Sequence, residues 1–241
     1  SPAGNETRSA KLNIVELPFA PTNVYANRII EQPDLRSANI SWTPGFDGNS
    51  PIVKYIIQRR EVLELENTGP LPENLQNWIT ELKNVSSTAT FAVISNLKAA
   101  TNYQFRVSAV NKVGEGYPSE SSNTLQLPHE VPSSPPSSIV GSARSSSEII
   151  TQWQPVAEEH RNGQILGYIL RYKLNGYKTI EWTSRNIINE AQRSFLLQDL
   201  ITWKDYLIQV AAYNNMGVGV FSEGIRIKTK ESAPEEPPSD I

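Results

Sequence analysis

Apolar and polar residues alternate with a period of two in several short stretches of the chain. Residues 38–42 read Ala-Asn-Ile-Ser-Trp, and residues 103–109 read Tyr-Gln-Phe-Arg-Val-Ser-Ala. Successive side chains of a β-strand point to opposite faces, so each stretch predicts a strand with one buried and one solvated face. The same pattern occurs at residues 52–59, 149–153, 165–172 and 206–212. No stretch shows a convincing amphipathic helix, so the pattern predicts an all-β protein.

The strand pattern occurs twice along the chain. The segment Tyr103–Gly116 returns 103 residues later as Tyr206–Gly219, with tyrosine, asparagine and two glycines in the same places. Four further landmarks recur at offsets between 103 and 113: Trp42 and Trp153, Tyr55 and Tyr168, Trp78 and Trp182, Leu97 and Leu200. A period near one hundred residues indicates two copies of one domain. Several short strands in each copy favour a two-sheet antiparallel β-sandwich.

A leucine stands six residues before a tyrosine at the start of a late strand in each copy. The pairs are Leu97 with Tyr103 and Leu200 with Tyr206. This spacing predicts a tyrosine corner, in which the ring packs inward and the hydroxyl bonds the upstream backbone. Trp42 and Trp153 lie at inward positions of an earlier strand, so we expect them in the two cores.

The composition argues against several classes of function. With 38% apolar residues, the chain has no apolar run near the roughly 20 residues that span a bilayer. Residues 17–127 hold nine Lys or Arg against ten Asp or Glu, and residues 128–230 hold eleven against nine. This balance does not give the basic face that nucleic acid or an anionic membrane requires. Two histidines, no cysteine and no phosphate-binding glycine motif leave no catalytic set, so we expect no enzyme, metal site or cofactor.

Motifs in both copies resemble fibronectin type III modules. They are Trp-x-Pro, Ile-x-x-Tyr, Leu-x5-Tyr at the corner, and Asn-x-x-Gly-x-Gly after the late strand. Residues 42–52, 127–132 and 210–219 are more closely similar to the first two fibronectin modules of the Sidekick family of cell-adhesion receptors. The resemblance implies two tandem fibronectin type III β-sandwiches.

The resemblance also implies a function. Sidekick proteins are homophilic adhesion molecules of the immunoglobulin superfamily, found at cell junctions and in synaptic wiring, and their recognition surface belongs to N-terminal immunoglobulin domains. The chain is then expected to be a spacer in the extracellular part of a single-pass plasma-membrane protein. Its partner is expected to be the same receptor on the opposing cell, bound through domains outside this fragment. The fragment itself is expected to be monomeric.

The ends of the chain resemble parts of further domains. The two modules are expected at residues 17–127 and 128–230. Residues 1–16 resemble the last strand of an immunoglobulin domain with its linker. Four residues near the other end repeat positions in residues 132–139 after 102 residues, so residues 231–241 are expected to begin another fibronectin module. These four are Pro234, Pro237, Pro238 and Ile241.

A short proline-rich segment joins the two modules. Residues 125–136 contain four prolines, at positions 128, 132, 135 and 136. Proline fixes φ and favours extended backbone, so the segment predicts a semi-rigid joint with limited bending.

Three Asn-x-Ser/Thr sequons occur, at Asn5, Asn39 and Asn84. Each is a candidate for N-glycosylation in a secreted protein, although so short a pattern also arises by chance. Because Ile40 and Trp42 face the core, the parity of the strand places Asn39 on the solvent side, where a glycan could be accommodated.

Three loops invite a functional interpretation. The first copy has nine extra residues within 63–75, which is the best candidate for a contact loop, although a tolerated surface insertion is the favoured explanation. The carboxylates of Asp47, Glu158 and Glu159 and the His160 imidazole occupy equivalent loops, and we expect solvated turns there because these residues cannot by themselves converge on one ion.

Two other functional classes stay open. Tandem fibronectin modules also bind ligands in guidance receptors and receptor phosphatases, and they build intracellular muscle proteins. The sequons argue against the muscle alternative. The chain lacks the Arg-Gly-Asp and Trp-Ser-x-Trp-Ser motifs of integrin ligands and cytokine receptors. A ligand-binding segment would carry a sizeable exposed apolar patch, and Ile56, Val110 and Tyr213 are the outward positions to inspect.

Overall fold

The structure is a computed structural model that describes residues 12–31, 36–62, 77–177 and 180–232. The chain divides into two compact units, Ser1–Pro128 and His129–Ile241. Within the described ranges, the regular elements are β-strands and one 3-10 turn at Glu158–His160.

Seven strands form the described part of the first unit. They are β1 (Thr22–Arg28), β2 (Ala38–Thr43), β3 (Lys54–Val62), β4 (Ile79–Ser86), β5 (Phe91–Ile94), β6 (Asn102–Val110) and β7 (Leu125–Gln126). One sheet has the order β1-β2-β5 and the other the order β4-β3-β6-β7. All neighbouring strands are antiparallel.

The second unit repeats this arrangement. Its strands are β8 (Ser137–Ala143), β9 (Ile149–Gln154), β10 (Gly167–Leu174), β11 (Thr183–Ile187), β12 (Ser194–Leu197), β13 (Asp205–Asn214), β14 (Gly217–Val218) and β15 (Ile225–Lys228). A three-stranded sheet has the order β12-β9-β8, and the other sheet has the order β11-β10-β13, with β14 and β15 both pairing with β13. The predicted pair of all-β antiparallel sandwiches is confirmed.

Each unit buries the inward residues of its strands in a core of its own. In β6, Tyr103, Phe105 and Val107 are fully buried, whereas the residues between them are only half-buried. Both cores contain the same aromatic pair. The ring centroids of Trp42 and Tyr55 lie 5.2 Å apart, those of Trp153 and Tyr168 lie 5.3 Å apart, and both interplanar angles are 57°.

The repeat extends to the backbone conformation of the turns. Among the described residues, the non-glycine positions with positive φ form four equivalent pairs: Asn23 and Ser138, Asn49 and Asn162, Asn96 and Asp199, Ala100 and Trp203. A left-handed conformation costs an L-residue about 1–2 kcal/mol, so its recurrence indicates that the fold imposes these turns. Ala100 and Trp203 cannot lower this cost with a short polar side chain, unlike asparagine.

Candidate functional site

A buried tyrosine hydroxyl accepts a backbone hydrogen bond in each unit. The Tyr103 hydroxyl accepts the N–H of Lys98 at 3.0 Å, and the Tyr206 hydroxyl accepts the N–H of Ile201 at 2.9 Å. Both bonds reach five residues upstream, into the turn that contains the left-handed Ala100 or its counterpart. Burial raises the pKa of Tyr103 above the ordinary value of 10.0, so the hydroxyl stays neutral at physiological pH.

A buried asparagine holds the segment that leads into the first strand of each unit. The Asn111 side-chain amide donates to the carbonyl oxygens of Glu16 at 2.7 Å and Asp47 at 2.9 Å. Asn214 binds the carbonyl oxygen of Glu130 at 2.7 Å in the same way. The asparagine of the Asn-x-x-Gly-x-Gly motif therefore ties together three loops at one end of each sandwich.

The last glycine of the same motif lies against the same incoming segment. A Cβ atom at Gly116 would overlap the carbonyl oxygen of Pro18, and a Cβ atom at Gly219 would overlap that of Pro132. Only glycine lets the incoming segment lie this close to the sandwich. The sequence marked the motif as a family signature, but its role in holding the incoming segment required the tertiary contacts.

The backbone is held on both sides of the division between the two units. The carbonyl oxygen of Pro128 accepts the N–H of Ala100 at 2.9 Å, within the first unit. The N–H of Glu130 donates to the carbonyl oxygen of Asn162 at 3.0 Å, within the second unit. Only one residue, His129, stands between these two attachments.

The outer face of the four-stranded sheet carries a stack of cationic and aromatic side chains. The guanidinium carbons of Arg60 and Arg106 lie 4.8 Å and 4.4 Å from the ring centroid of Trp78. Arg60 also donates to the Gln104 amide oxygen at 2.7 Å, and Arg106 donates to the Gln58 amide oxygen at 2.7 Å. Burial, and then the nearby charge of Arg60, lower the pKa of Arg106.

The second unit has an equivalent stack with one exchange. The Arg171 guanidinium carbon lies 4.5 Å from the Trp182 ring and 3.7 Å from the Phe221 ring. Arg171 donates to the Gln209 amide oxygen at 2.8 Å, and these two residues are directly opposite each other on β10 and β13. Trp78 and Trp182 thus lie on the outer faces of these sheets and, unlike Trp42 and Trp153, do not belong to the cores.

The outer face of the three-stranded sheet β1-β2-β5 carries three exposed apolar side chains, beside the exposed Asn27. Tyr25 and Phe91 lie opposite Ser41 from the two sides, and Val93 lies opposite Asn39. The exposed fractions are 56% for Tyr25, 59% for Phe91 and 45% for Val93. We call these three residues the apolar face. The sequence did not predict this face, because β5 has only four residues, too few to be identified as a strand from its own alternation.

The structure places two of the three sequon asparagines. Asn39 is half-buried in the middle strand β2, and its Oδ1 atom is buried without a hydrogen-bond partner among the described residues. Asn84 is exposed on β4, and its Oδ1 accepts a hydrogen bond from Lys54 Nζ at 2.9 Å. Asn5 lies outside the described residues. Glycosylation at these positions stays a prediction.

The charged loops contain ordinary turn interactions. Asp47 Oδ1 accepts the N–H of Asn49 at 2.9 Å, and His160 Nδ1 lies 3.1 Å from the Ser133 hydroxyl. In the described part of the chain, no group of three or more His, Asp or Glu side chains could hold a metal ion. No helix there is long and apolar enough to cross a membrane.

The remaining sequence-based predictions concern three outward positions, one loop and the two ends of the chain. Ile56, Val110 and Tyr213, the outward positions proposed for inspection, are half-buried in the sheet. The candidate contact loop at residues 63–75 lies outside the described residues, as do residues 1–11 and 233–241 of the proposed flanking domains.

Both sandwiches match a known domain family. The fibronectin type III domain family matches residues 20–125 and 134–228. The chain belongs to the fibronectin type III family. Fibronectin type III domains that match in structure include the crystal structure of chicken CNTN1 FN1-FN3 domains, with a TM-score of 0.67 and 28% identity. That match covers 92% of this chain and 70% of the CNTN1 chain.

The same fibronectin type III pair is similar to a segment of the Sidekick proteins. It is 67% identical to Protein sidekick of Drosophila melanogaster and 41% identical to Protein sidekick-1 of Mus musculus, and both alignments cover 100% of this chain. The chain spans only 11% and 10% of the length of these two relatives. The predicted resemblance to Sidekick is confirmed.

Proposed function

We propose that this chain is a spacer segment in the extracellular part of a homophilic cell-cell adhesion receptor, located at a cell junction or synapse. The two domains set the distance and direction of a recognition surface that lies elsewhere in the receptor. The partner is the same receptor on the opposing cell, engaged through domains outside this chain. The receptor crosses the membrane once, also outside this chain, and the segment has no enzymatic role.

The observation that carries this proposal is how few residues separate the last attachment to the first domain from the first attachment to the second domain. Pro128 is hydrogen-bonded to the first domain and Glu130 to the second, so His129 is the one residue between the two attachments. A flexible tether needs several residues that are not attached to either domain, because the distance it can span grows only with the square root of the number of such residues. A joint held this closely supports a role in transmitting position.

The outer face of the sheet β4-β3-β6-β7 supports positioning over capture of an anionic ligand. Arg60 and Arg106 stack on Trp78 and bind glutamine side chains of the same sheet. Basic groups that already have partners inside their own domain are less suited to binding an anionic ligand. Together with the similarity to Sidekick along the whole chain, this favours the spacer over the guidance-receptor, receptor-phosphatase and muscle-protein alternatives.

Sedimentation equilibrium of the isolated 241-residue chain tests the proposal. We expect a monomer, because a passive spacer does not supply the recognition surface. A dissociation constant for dimerisation below about 1 μM, which corresponds to about −8 kcal/mol, would contradict the passive role. A full-length receptor in which these two domains are replaced by an unrelated fibronectin pair of the same length should still aggregate cells, and lost aggregation would point to a specific ligand.

A further inference from the structure

The apolar face and a sequon occupy the same surface of the first domain. Asn39 lies in the middle strand β2, between Asn27 on β1 and Val93 on β5. The next outward residue, Ser41, lies between the exposed rings of Tyr25 and Phe91. Diagonal neighbours on a sheet face are about 7–8 Å apart, so both rings are within reach of a group attached to Asn39.

The second domain provides an internal comparison for this surface. Ile150 occupies the position of Asn39 and lies between Ser142 and Leu196. Gln152 occupies the position of Ser41 and lies between Val140 and Ser194. The second domain therefore has neither the sequon nor the two flanking rings. The rings and the glycan acceptor occur together on one copy of the repeat and are replaced together on the other.

We propose that the N-linked glycan of Asn39 lies over the apolar face and covers Tyr25 and Phe91. The inference rests on the extracellular location in the proposed function. The first sugar residues of this glycan extend from the middle strand, and Tyr25 and Phe91 lie on the strands to either side. The apolar C–H face of a sugar ring packs on an aromatic ring, while its hydroxyl groups remain hydrated. An exposed apolar patch, which otherwise marks a binding surface, is thereby screened from other proteins.

The covalent step uses a donor supplied by the secretory pathway. The Asn39 Nδ2 atom forms a bond to C1 of the first sugar, and the bond from C1 to the phosphate oxygen of a lipid-linked diphosphate oligosaccharide breaks. The leaving lipid diphosphate takes the bonding electron pair, and Nδ2 loses one proton. Oxidation states do not change. The sequon hydroxyl belongs to Ser41, so Ser41→Ala removes glycosylation and keeps Asn39 itself.

Occupancy at Asn39 is tested first. The 241-residue chain is secreted from animal cells, and glycopeptides that contain Asn39 or Asn84 are measured by mass spectrometry. We expect a glycan on Asn39. Secretion with a glycan on Asn84 and none on Asn39 would overturn this inference and leave the extracellular location standing. Failure of secretion, or secretion with neither Asn39 nor Asn84 glycosylated, would count against both this inference and the extracellular location.

Chemical nitration of tyrosine then tests where the glycan lies. Tyr25 should react severalfold more slowly in the glycosylated chain than in Ser41→Ala. Tyr117, which is 83% exposed, is the internal control and should react equally in both. Ser86→Ala, which removes the other described sequon, should leave Tyr25 protected. Ser41→Ala is a better comparison than Asn39→Asp, because the latter would put an unpaired negative charge at the buried Oδ1 position.

Two results would overturn the covered face even with Asn39 fully occupied. One is equal nitration of Tyr25 in the glycosylated chain and in Ser41→Ala. The other is the absence of nuclear Overhauser contacts between the first two sugars and the ring protons of Tyr25 or Phe91 in the labelled glycoprotein. Circular dichroism of Ser41→Ala establishes that the variant is folded before these comparisons are made.

Discussion

At the scale of single residues, one hydroxyl group closes the corner of each domain. Tyr103 is fully buried, and its oxygen satisfies the N–H of Lys98 in a turn where Ala100 adopts a left-handed conformation. A buried N–H without a partner costs more than a hydrogen bond gains. The tyrosine therefore offsets part of the backbone cost of the turn that also holds Pro128.

Tyr103→Phe is expected to lower the free energy of unfolding of the first domain by about 1–2 kcal/mol at neutral pH, because Lys98 loses its acceptor. Burial raises the pKa of Tyr103 above 10.0, so the unfolded chain ionises before the folded domain does. Stability from this group is complete below pH 10.0 and is lost as the pH rises through the folded-state pKa. The variant should therefore lose stability less steeply in alkali.

Urea titrations of the whole chain, followed by NMR signals of β6 amides, measure both effects. Tyr25→Phe is the matched control, because its hydroxyl is on an exposed side chain. Some alkaline sensitivity should remain in Tyr103→Phe, since burial also raises the pKa of Tyr55 in the same core. Equal urea midpoints for Tyr103→Phe and the parent chain would contradict the assigned role of the corner.

At the scale of strands, the two domains preserve an interaction while exchanging its residues. In the first domain, Gln58 on β3 pairs with Arg106 on β6. In the second domain, the arginine is Arg171 on β10 and the glutamine is Gln209 on β13. When equivalent positions of the two domains are aligned, arginine and glutamine have exchanged places. The hydrogen bond between them is kept, and the arginine lies beside the tryptophan in both domains.

Arg106→Gln is expected to destabilise the first domain by about 1 kcal/mol, because it removes a cation–π contact and a hydrogen bond. The double variant Gln58→Arg with Arg106→Gln should recover much of this loss, since it reproduces the arrangement of the second domain. Thermal unfolding by calorimetry measures both. Arg144→Gln, at an exposed position, controls for the loss of charge. A double variant no more stable than Arg106→Gln would show that the exchange is incidental.

At the scale of the whole chain, the proposed spacer depends on attachments made by each domain separately. Asn111 and Asn214 hold the segments that enter the two domains, at Glu16 and Glu130 respectively. The backbone N–H groups of Ala100 and its counterpart Trp203 hold the segments that leave the two domains. The N–H of Trp203 donates to the carbonyl oxygen of Lys230 at 3.3 Å. The same attachments at the beginning and end of both domains provide a repeated way to join such modules without free linker residues.

Insertion of Gly-Ser-Gly-Ser after Pro128 is expected to loosen the joint, since four flexible residues span about 11 Å. The chain contains no cysteine, so spin labels can be attached at Lys83→Cys and Glu181→Cys, both at exposed positions. The distribution of distances between the labels should be narrow in the parent chain and broad after the insertion. The same insertion after Gly176, where a side chain would meet nothing within 4 Å, is the control. A parent distribution as broad as that of the Pro128 insertion would refute the stiff joint.

The sequence predicted what depends on local order along the chain. Alternation in residues such as Ala38 to Trp42 identified strands, because a strand with one buried face must alternate. It also identified the repeat and the fibronectin family. Parity placed Asn39 on an outer face. Parity alone did not reveal that Phe91 and Val93 share this face, because their strand was too short to be read from its own pattern.

By itself, then, the sequence determined the fold class, the two copies and the family, since buried strands repeat their polarity pattern in every copy. Tertiary structure alone decided which distant residues meet. Strand register brings Tyr25 and Phe91 to the two sides of Ser41, although 66 positions separate them in the chain. Folding likewise puts Trp78 against Arg106 and Asn111 against Glu16. Such contacts depend on pairing and packing across the sandwich, which a one-dimensional pattern does not encode locally.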